Sequence, residues 1–429
     1  MKSEETKRLS LKGNIIWNSV GSIIYQVCIW LITVMVLWIS GLEDGGILTV
    51  AMSVSNIFFT VAIYGMRAYQ TSDLNSKYSD KEYILSRFVT SGAAVLLCFF
   101  TVLIMRYSLL SAASVMLYML FRISEALMDV LHGIDQRFMR MDIIGKSFIM
   151  RGVVAVISFA LSLWLLGNIA LALLIMAAAS FVTVIIYDFP AAARLGDFKK
   201  PASAVNIRRL LAECFPLVVY SFLNTAVANI PRIILESVHG ETAAGIFGAI
   251  GAPTVIVQLG ATYAFTPLIS GFAKAYIDRD KKKFFRLTLI VCGVIAAIGV
   301  VSVIGGALLC DWGLTLLYSS NEQVFEGVML NKALLVPIIV TTVVTAYVLF
   351  FNMLLTIVRE FKGLVASNII GLAACIGFCS FMIKKWYLQG TNLALMAALL
   401  LQLVSLAVFL AAHCKKYFFE SAKQADNAR

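Results

Sequence analysis

The sequence predicts an all-α membrane protein that crosses the bilayer many times. Of its 429 residues, 60% are hydrophobic and 14% are charged, and the mean hydropathy is +0.89. A soluble domain carries roughly 25% charged and about 45–50% apolar residues. The apolar excess is spread along the whole chain in runs of about 20 residues, the length that one helix needs to cross a bilayer. This length and periodicity predict a polytopic, all-helical fold.

We count about twelve such runs, each a predicted transmembrane helix. The first run is too long for a cleaved signal peptide and lacks a small-residue cleavage site, so we expect it to stay as the first span. The predicted helices cover residues 15–40, 46–66, 88–105, 109–130, 148–166, 169–187, 210–235, 243–268, 287–309, 333–357, 364–383 and 391–412.

The distribution of Lys and Arg predicts the orientation of these helices. Of the 35 Lys and Arg residues, 29 fall in alternate segments that begin with the N-terminus, if Arg151 at the start of the fifth run is counted with the segment before it. Four fall in the other segments. Positive residues accumulate on the cytoplasmic side of membrane proteins. The sequence therefore predicts that both termini are cytoplasmic. The net charge of +11 is explained by this placement and does not indicate a nucleic-acid partner.

Twelve helices divide into two groups of six around a basic segment near residues 188–209. We predict an N-terminal six-helix bundle over residues 1–205 and a C-terminal one over residues 206–429. With an even number of helices in each half, both halves start on the same side, so any internal repeat is parallel.

The fourth run contains a polar stripe. Ser111, Ser114, Tyr118, Arg122, Glu125 and Asp129 follow one another at steps of three or four, which places them on one helical face. Ionisable residues within a span face the protein interior or a water-filled cavity. Two interpretations stay open. Arg122 pairs with Glu125 or Asp129 only to neutralise charge, or the stripe lines a cavity in which Arg122 meets an anion and a carboxylate carries a coupling proton.

Other polar positions are sparser. The seventh run contains Asn224, Asn229, Pro231 and Arg232, where we expect the proline to kink or end the helix. Arg232 either reaches the headgroups near the outer end or lines a cavity. Arg67 follows the second run. A lone cytoplasmic arginine at this position would only fix the topology, but the aromatic and polar residues around Arg67 are unusual for that role.

Catalytic signals are absent from the sequence. There is no Gly-x-Ser-x-Gly, no nucleotide-binding Lys loop and no zinc-binding His-Glu-x-x-His. The eight cysteines include no Cys-x-x-Cys pair, and most lie in apolar runs. We therefore predict a carrier and not an enzyme, with no metal and no cofactor.

Several segments resemble a known family. Residues 64–73 with Tyr83 and Arg87, residues 121–130 with residues 140–147, and the Phe215-Pro216 and 229–232 motifs resemble bacterial O-antigen and capsule repeat-unit flippases of the Wzx type. The resemblance covers the chain in length and helix count. Ile233 departs from the pattern, which often has an aromatic residue after Pro-Arg.

The resemblance implies membership of the multidrug/oligosaccharidyl-lipid/polysaccharide exporter superfamily, with a MATE-like fold of two six-helix bundles around a central cavity. The expected location is the bacterial inner membrane, and the expected substrate is an undecaprenyl-pyrophosphate-linked oligosaccharide that moves to the outer leaflet by alternating access. Proton or sodium movement is the candidate driving force, and membrane lipids, a polysaccharide polymerase and a chain-length regulator are candidate partners. The resemblance also implies the site residues. Substrate binding is expected at Arg122, Arg232, Arg67, Asn224 and Tyr118, and ion coupling at Glu125 and Asp129.

Two rival functions are weaker. A multidrug or cation antiporter of the same fold is expected to have acidic and aromatic residues in its cavity, and the deep Arg122 argues against it. A polytopic polysaccharide polymerase typically needs a large outer loop with catalytic residues, and the longest predicted outer loop, near residues 310–332, has only about twenty residues.

Overall fold

The computed structural model describes residues 10–73, 77–198 and 200–426, and this part of the chain is almost entirely helical, without a β-strand. Three short 3₁₀ turns and one π-helical turn, Val184–Asp188, interrupt the α-helices. The α-helices are α1 Leu11–Ser40, α2 Leu42–Ile63, α3 Met66–Ser72, α4 Asp80–Met105, α5 Leu109–Arg137, α6 Met141–Leu166, α7 Ile169–Thr183, α8 Phe189–Leu195, α9 Ala204–Gly251, α10 Val255–Phe265, α11 Ile269–Ile277, α12 Lys281–Tyr318, α13 Glu322–Leu330, α14 Leu335–Ile357 and α15 Phe361–Asp426.

The helices are long and apolar enough to make this a multi-pass membrane protein. Ten helical segments of the described chain meet the length and hydropathy of a span. Two of them, Ala204–Ile277 and Phe361–Phe418, have 74 and 58 residues, and one crossing takes about 20. Each contains a non-helical residue, Gly240 at φ 81° and Tyr387 at φ 52°. The count of twelve crossings and the orientation of the termini stay predictions.

Side chains on the outside of the helices fit a lipid environment. Leu109 is 89% exposed, Leu308 78% and Ile104 76%. Exposed apolar surface on this scale is unusual for a soluble monomer and marks contact with a membrane or a partner.

Local sequence explains where several helices begin. Ser10 caps α1 by accepting a hydrogen bond from the Gly13 amide at 3.1 Å. Ser79 and Glu82 form a reciprocal capping box at the start of α4. Between α2 and α3, Tyr64 and Gly65 both take left-handed conformations, so the chain turns sharply between these helices.

The chain divides into two compact units, residues 1–225 and 226–429. In the first unit, α1 packs along α6, and α2 packs against α4 and α5. The crossing of α1 and α6 is close, since a Cβ added to Gly21 would lie 2.5 Å from the Cα of Gly145. Small residues at such a crossing let the two backbones approach. This approach places α6 beside the middle of α1, where the polar site described below is found.

In the second unit, α14 packs against α10, α12 and α15. A buried amide network holds this unit together. Asn368 donates to Asn352 Oδ1 at 3.1 Å, and Gln402 donates to Asn368 Oδ1 at 2.7 Å. Because Asn352 is on α14 and the other two residues are on opposite sides of Tyr387 in α15, the network joins three helical segments. The predicted bundle limits, 1–205 and 206–429, stay a prediction, and both chain ends lie outside the described residues.

The structure corrects the sequence interpretation at three places. Arg87 and Arg151 were assigned to cytoplasmic segments, but they lie inside α4 and α6 and are fully buried. The helix does not end at Pro231, because α9 continues through it to the non-helical Gly240. The predicted outer loop near residues 310–332 is largely helical, because α12 runs to Tyr318 and α13 follows it.

Candidate functional site

The polar stripe of the fourth run lies on α5, a single helix of 29 residues. Ser111, Ser114 and Tyr118 are buried, and the three charged residues that follow them are partly buried. Tyr118 packs against Phe121, with ring centroids 5.5 Å apart. The stripe therefore faces the interior of the first unit, with its charged half toward the end of α5 at Arg137.

Arg122 and Glu125 form the centre of a first cluster. Arg122 donates to Glu125 Oε2 at 2.6 Å, and its guanidinium lies 3.7 Å from the centroid of the Phe59 ring. The hydroxyl of Tyr25, on α1, donates to the same Glu125 oxygen at 2.9 Å. Glu125 is thus held from two helices, and a cation–π contact fixes Arg122.

Arg151, on α6, completes this cluster. It donates to the Ser124 hydroxyl at 2.8 Å, to the Phe121 carbonyl at 3.0 Å and to the Tyr25 hydroxyl at 3.5 Å. We call Arg122, Glu125, Tyr25 and Arg151 the Arg122 cluster. It contains two guanidinium groups and one carboxylate. Buried nitrogens of both arginines find no acceptor among the described residues, so each guanidinium keeps unused donors.

Asp129 forms a second cluster one turn along α5. It accepts from Arg87 at 2.8 Å and from Arg67 at 3.5 Å. Arg87 also donates to the Ala62 carbonyl at 2.7 Å, and Arg67 donates to the Gln136 side chain at 3.0 Å. We call Asp129, Arg67 and Arg87 the Asp129 cluster. Here too, two guanidinium groups face one carboxylate.

Arg87 was left out of the predicted site because the third predicted run begins directly after it, at residue 88. Arg151 was left out because it was counted with the cytoplasmic segment before the fifth run. A signal was available in the sequence. Ser79-Asp-Lys-Glu82 is a capping-box pattern, which places the start of α4 eight residues before Arg87. No comparable signal marks Arg151, because α6 begins at an arginine N-cap without a side-chain cap.

A polar surface lies beside α3 and the start of α4. Glu213 accepts from Lys77 Nζ at 2.6 Å and from the Tyr69 hydroxyl. The hydrogen bond to Glu213 raises the pKa of Lys77 above its ordinary value, and burial raises the pKa of Tyr78. These contacts join the loop after α3 to the first turns of α9.

The remaining predicted residues, Asn224 and Arg232, lie on α9. Arg232 is partly buried, and it forms no hydrogen bond and no ion pair with another described residue. The structure thus brings Arg122 together with Glu125, and Arg67 with Asp129.

Comparison with known proteins identifies the family. Residues 11–273 match the family described as polysaccharide biosynthesis protein. The chain is 24% identical over 304 residues to the capsular polysaccharide biosynthesis protein CapF of Staphylococcus aureus, an alignment covering 70% of this chain and 76% of CapF.

Solved structures show the same fold. The inward closed conformation of the lipid II flippase MurJ superposes with a TM-score of 0.72 at 11% identity, covering 95% of this chain and 91% of MurJ. A MATE transporter in complex with MaL6 gives a TM-score of 0.62 at 14% identity, covering 96% and 97% of the two chains.

The expectation of a MATE-like fold and the resemblance to Wzx-type flippases are confirmed by these matches. The chain belongs to the polysaccharide biosynthesis protein family.

Proposed function

We propose that this protein is a flippase that moves an undecaprenyl-pyrophosphate-linked oligosaccharide, an O-antigen or capsule repeat unit, from the cytoplasmic to the outer leaflet of the bacterial inner membrane. It acts as a carrier by alternating access and catalyses no covalent chemistry. The family match and the similarity to CapF, a capsular polysaccharide biosynthesis protein, support the polysaccharide class of substrate.

The excess of guanidinium groups within the membrane-spanning helices is the observation that carries this proposal. The Arg122 cluster and the Asp129 cluster each hold two arginines and one carboxylate, and Arg232 has no charged partner among the described residues. Charged groups in a membrane protein are costly and mark ion or substrate pathways. A pyrophosphate suits this environment, because planar guanidinium groups donate to phosphate oxygens in pairs.

The residue roles are part of the proposal. In the first unit, Arg122 and Arg67 bind the pyrophosphate, Asn224 contacts the sugar, and the buried Tyr118 supports the α5 surface that presents Arg122. In the second unit, Arg232 is assigned to phosphate binding. Unused donors of Arg122 point to such a ligand, and the Phe59 ring keeps its guanidinium in place.

Ion coupling is proposed for Glu125 and Asp129. Each carboxylate accepts a hydrogen bond from an arginine in the structure. A phosphate that takes over the Arg122 donors leaves Glu125 with the Tyr25 hydroxyl alone. A carboxylate that loses its cation in this way is open to a coupling cation in exchange. Proton or sodium movement is therefore linked to the loading of the site.

Deletion of the gene in its host tests the function. We expect undecaprenyl-pyrophosphate-linked repeat units to accumulate on the cytoplasmic side, which extraction and mass spectrometry of lipid-linked intermediates measure. Unchanged intermediates together with increased drug sensitivity would establish a multidrug antiporter instead.

Complementation with variants tests the site. Arg122→Lys keeps the charge but loses the paired donors, so we expect it to restore export less well than Arg106→Lys, which changes an exposed arginine at the end of α4. Equal restoration by the two variants would remove Arg122 from the substrate site.

A further inference from the structure

Asp135 is a buried carboxylate of the first unit without a hydrogen-bond donor. Its side chain is 0% exposed, and neither of its oxygens has a donor within hydrogen-bond distance in the described structure. Glu125 and Asp129, on the same helix, each accept from an arginine. An ionised carboxylate buried without a donor costs several kcal/mol, so burial of this kind disfavours the charged form.

Two further titratable groups lie beside Asp135. His132 precedes it by three residues on α5, and neighbours at this spacing lie on the same face of a helix. The Nε2 atom of His132 lies 3.2 Å from Asp188 Oδ1, and both side chains are at most 1% exposed. Asp188 also acts electrostatically on Asp135, and this repulsion further disfavours a charge there.

The backbone at Asp188 is also unusual. Asp188 ends the π-helical turn Val184–Asp188 between α7 and α8. Such turns are rare and frequently occur at functional sites. The second Asp188 oxygen and the Nδ1 atom of His132 also find no hydrogen-bond partner within the described residues. The group therefore has unused polar atoms on all three residues.

The charged residues around this group do not neutralise Asp135. Arg67, on α3, donates to Asp129 and Gln136. Arg140, at the start of α6, binds Asp142 through two nitrogens at 2.9 and 3.0 Å. Arg67, Arg140, Asp142 and Asp188 act on Asp135 electrostatically, but none of the four donates a hydrogen bond to its carboxylate.

We propose that His132, Asp135 and Asp188 form a buried proton-binding site, with the proton on Asp135 in this conformation. Release of that proton would leave a second buried carboxylate near Asp188, so we expect the proton to leave only when the surroundings of Asp135 change. Asp135 lies two residues before the end of α5 at Arg137. Its use as a coupling site in transport rests on the proposed function, but the binding of a proton does not.

Infrared spectroscopy of the purified full-length protein without substrate tests this proposal directly. At neutral pH we expect the carbonyl stretch of a protonated carboxylic acid, which disappears in Asp135→Asn. The matched control is Asp197→Asn, since the Asp197 side chain is 56% exposed and pairs with Lys200 at 3.9 Å. This control is expected to keep the band.

A second measurement does not depend on a variant. Labelling the wild-type protein with ¹³C-aspartate is expected to shift the same band, which assigns it to an aspartate even where Asp135→Asn folds poorly. A wild-type spectrum without a protonated carboxyl band at neutral pH would overturn the proposal, as would a band that Asp135→Asn retains. Because no lipid substrate is present, these outcomes are independent of whether the protein is a flippase.

Discussion

The substitution Arg87→Lys tests whether Arg87 only sets the orientation of the helices in the membrane or also stabilises the fold. Lysine keeps the positive charge, so the charge distribution across the membrane does not change. In the structure, Arg87 is 0% exposed and donates at once to Asp129 at 2.8 Å and to the Ala62 carbonyl at 2.7 Å. One ammonium group does not reproduce the planar fork that makes both contacts.

The magnitude follows from these two contacts. A hydrogen bond to a charged group contributes about 1.5–3 kcal/mol. The Thr90 hydroxyl also donates to the Ala62 carbonyl, at 2.8 Å, so that carbonyl keeps a donor in the variant. We therefore expect Arg87→Lys to lose about 1.5 kcal/mol of unfolding free energy. Arg87→Met, which leaves Asp129 without its closest cation, is expected to lose about 3–5 kcal/mol.

Equilibrium unfolding in mixed micelles titrated with a denaturing detergent measures both losses. Lys81→Met is the matched control, because Lys81 is an exposed residue of the same helix. Exposed substitutions of this kind usually change stability by less than about 0.5 kcal/mol. Wild-type stability in Arg87→Lys would refute the reasoning and return Arg87 to a topological role.

Two further predictions concern packing within each unit. Gly145→Ala is expected to lose about 1–3 kcal/mol, because the added Cβ would lie 2.4 Å from the Trp17 carbonyl oxygen, whereas Gly92→Ala, with open space around the added atom, is expected to be neutral or slightly stabilising. The same unfolding assay decides this, and equal effects of the two variants would contradict the close helix crossing. Asn368→Leu is expected to lose about 1–3 kcal/mol for each of the two side-chain hydrogen bonds that it removes, one with Asn352 and one with Gln402. A stability within about 0.5 kcal/mol of wild type would show that this network does not hold the second unit together.

The fold class could be predicted from the sequence because a bilayer imposes a simple rule. Every span needs about 20 apolar residues with internally satisfied backbone groups, and hydropathy reports this directly. The same rule gave the wrong location for two arginines, because it does not expect a buried charge inside a helix. The buried charges of Arg87 and Arg151 are stabilised by partners on other helices, such as Asp129 and the Tyr25 hydroxyl. Those partners are distant in sequence, so local hydropathy could not find them.

The candidate site was predicted in part. Periodicity placed Arg122, Glu125 and Asp129 on one face of α5, which is a local property of a helix. Which arginine meets which carboxylate depends on the packing of α1, α3, α4 and α6 around that face. From the sequence, Asp129 was a candidate partner of Arg122. In the structure, Asp129 pairs with Arg67 and Arg87 instead. No sequence signal distinguished Asp135 from an ordinary helix-end aspartate, because only burial shows that it lacks a donor.

The accumulation of cations without matching anions distinguishes this protein from a membrane bundle that only has to pack. An ion pair with balanced charge needs no ligand. Each cluster of the first unit instead keeps one uncompensated guanidinium, and Arg232 of the second unit has no charged partner within the described residues. An anionic substrate would supply the missing charge, which links the energetics of the helices to transport.

Flipping of a lipid-linked oligosaccharide by the purified protein in vesicles tests the central claim most directly. Vesicles are loaded with an undecaprenyl-pyrophosphate-linked oligosaccharide, and appearance of the sugar on the opposite face is followed by its accessibility to an added glycosidase. We expect translocation by the wild type and by Arg209→Gln, an exposed arginine of α9, and a loss of at least tenfold in rate with Arg232→Gln, which removes the unpaired guanidinium of the same helix. Equal rates for Arg232→Gln and Arg209→Gln, or no translocation by the wild-type protein, would contradict the account.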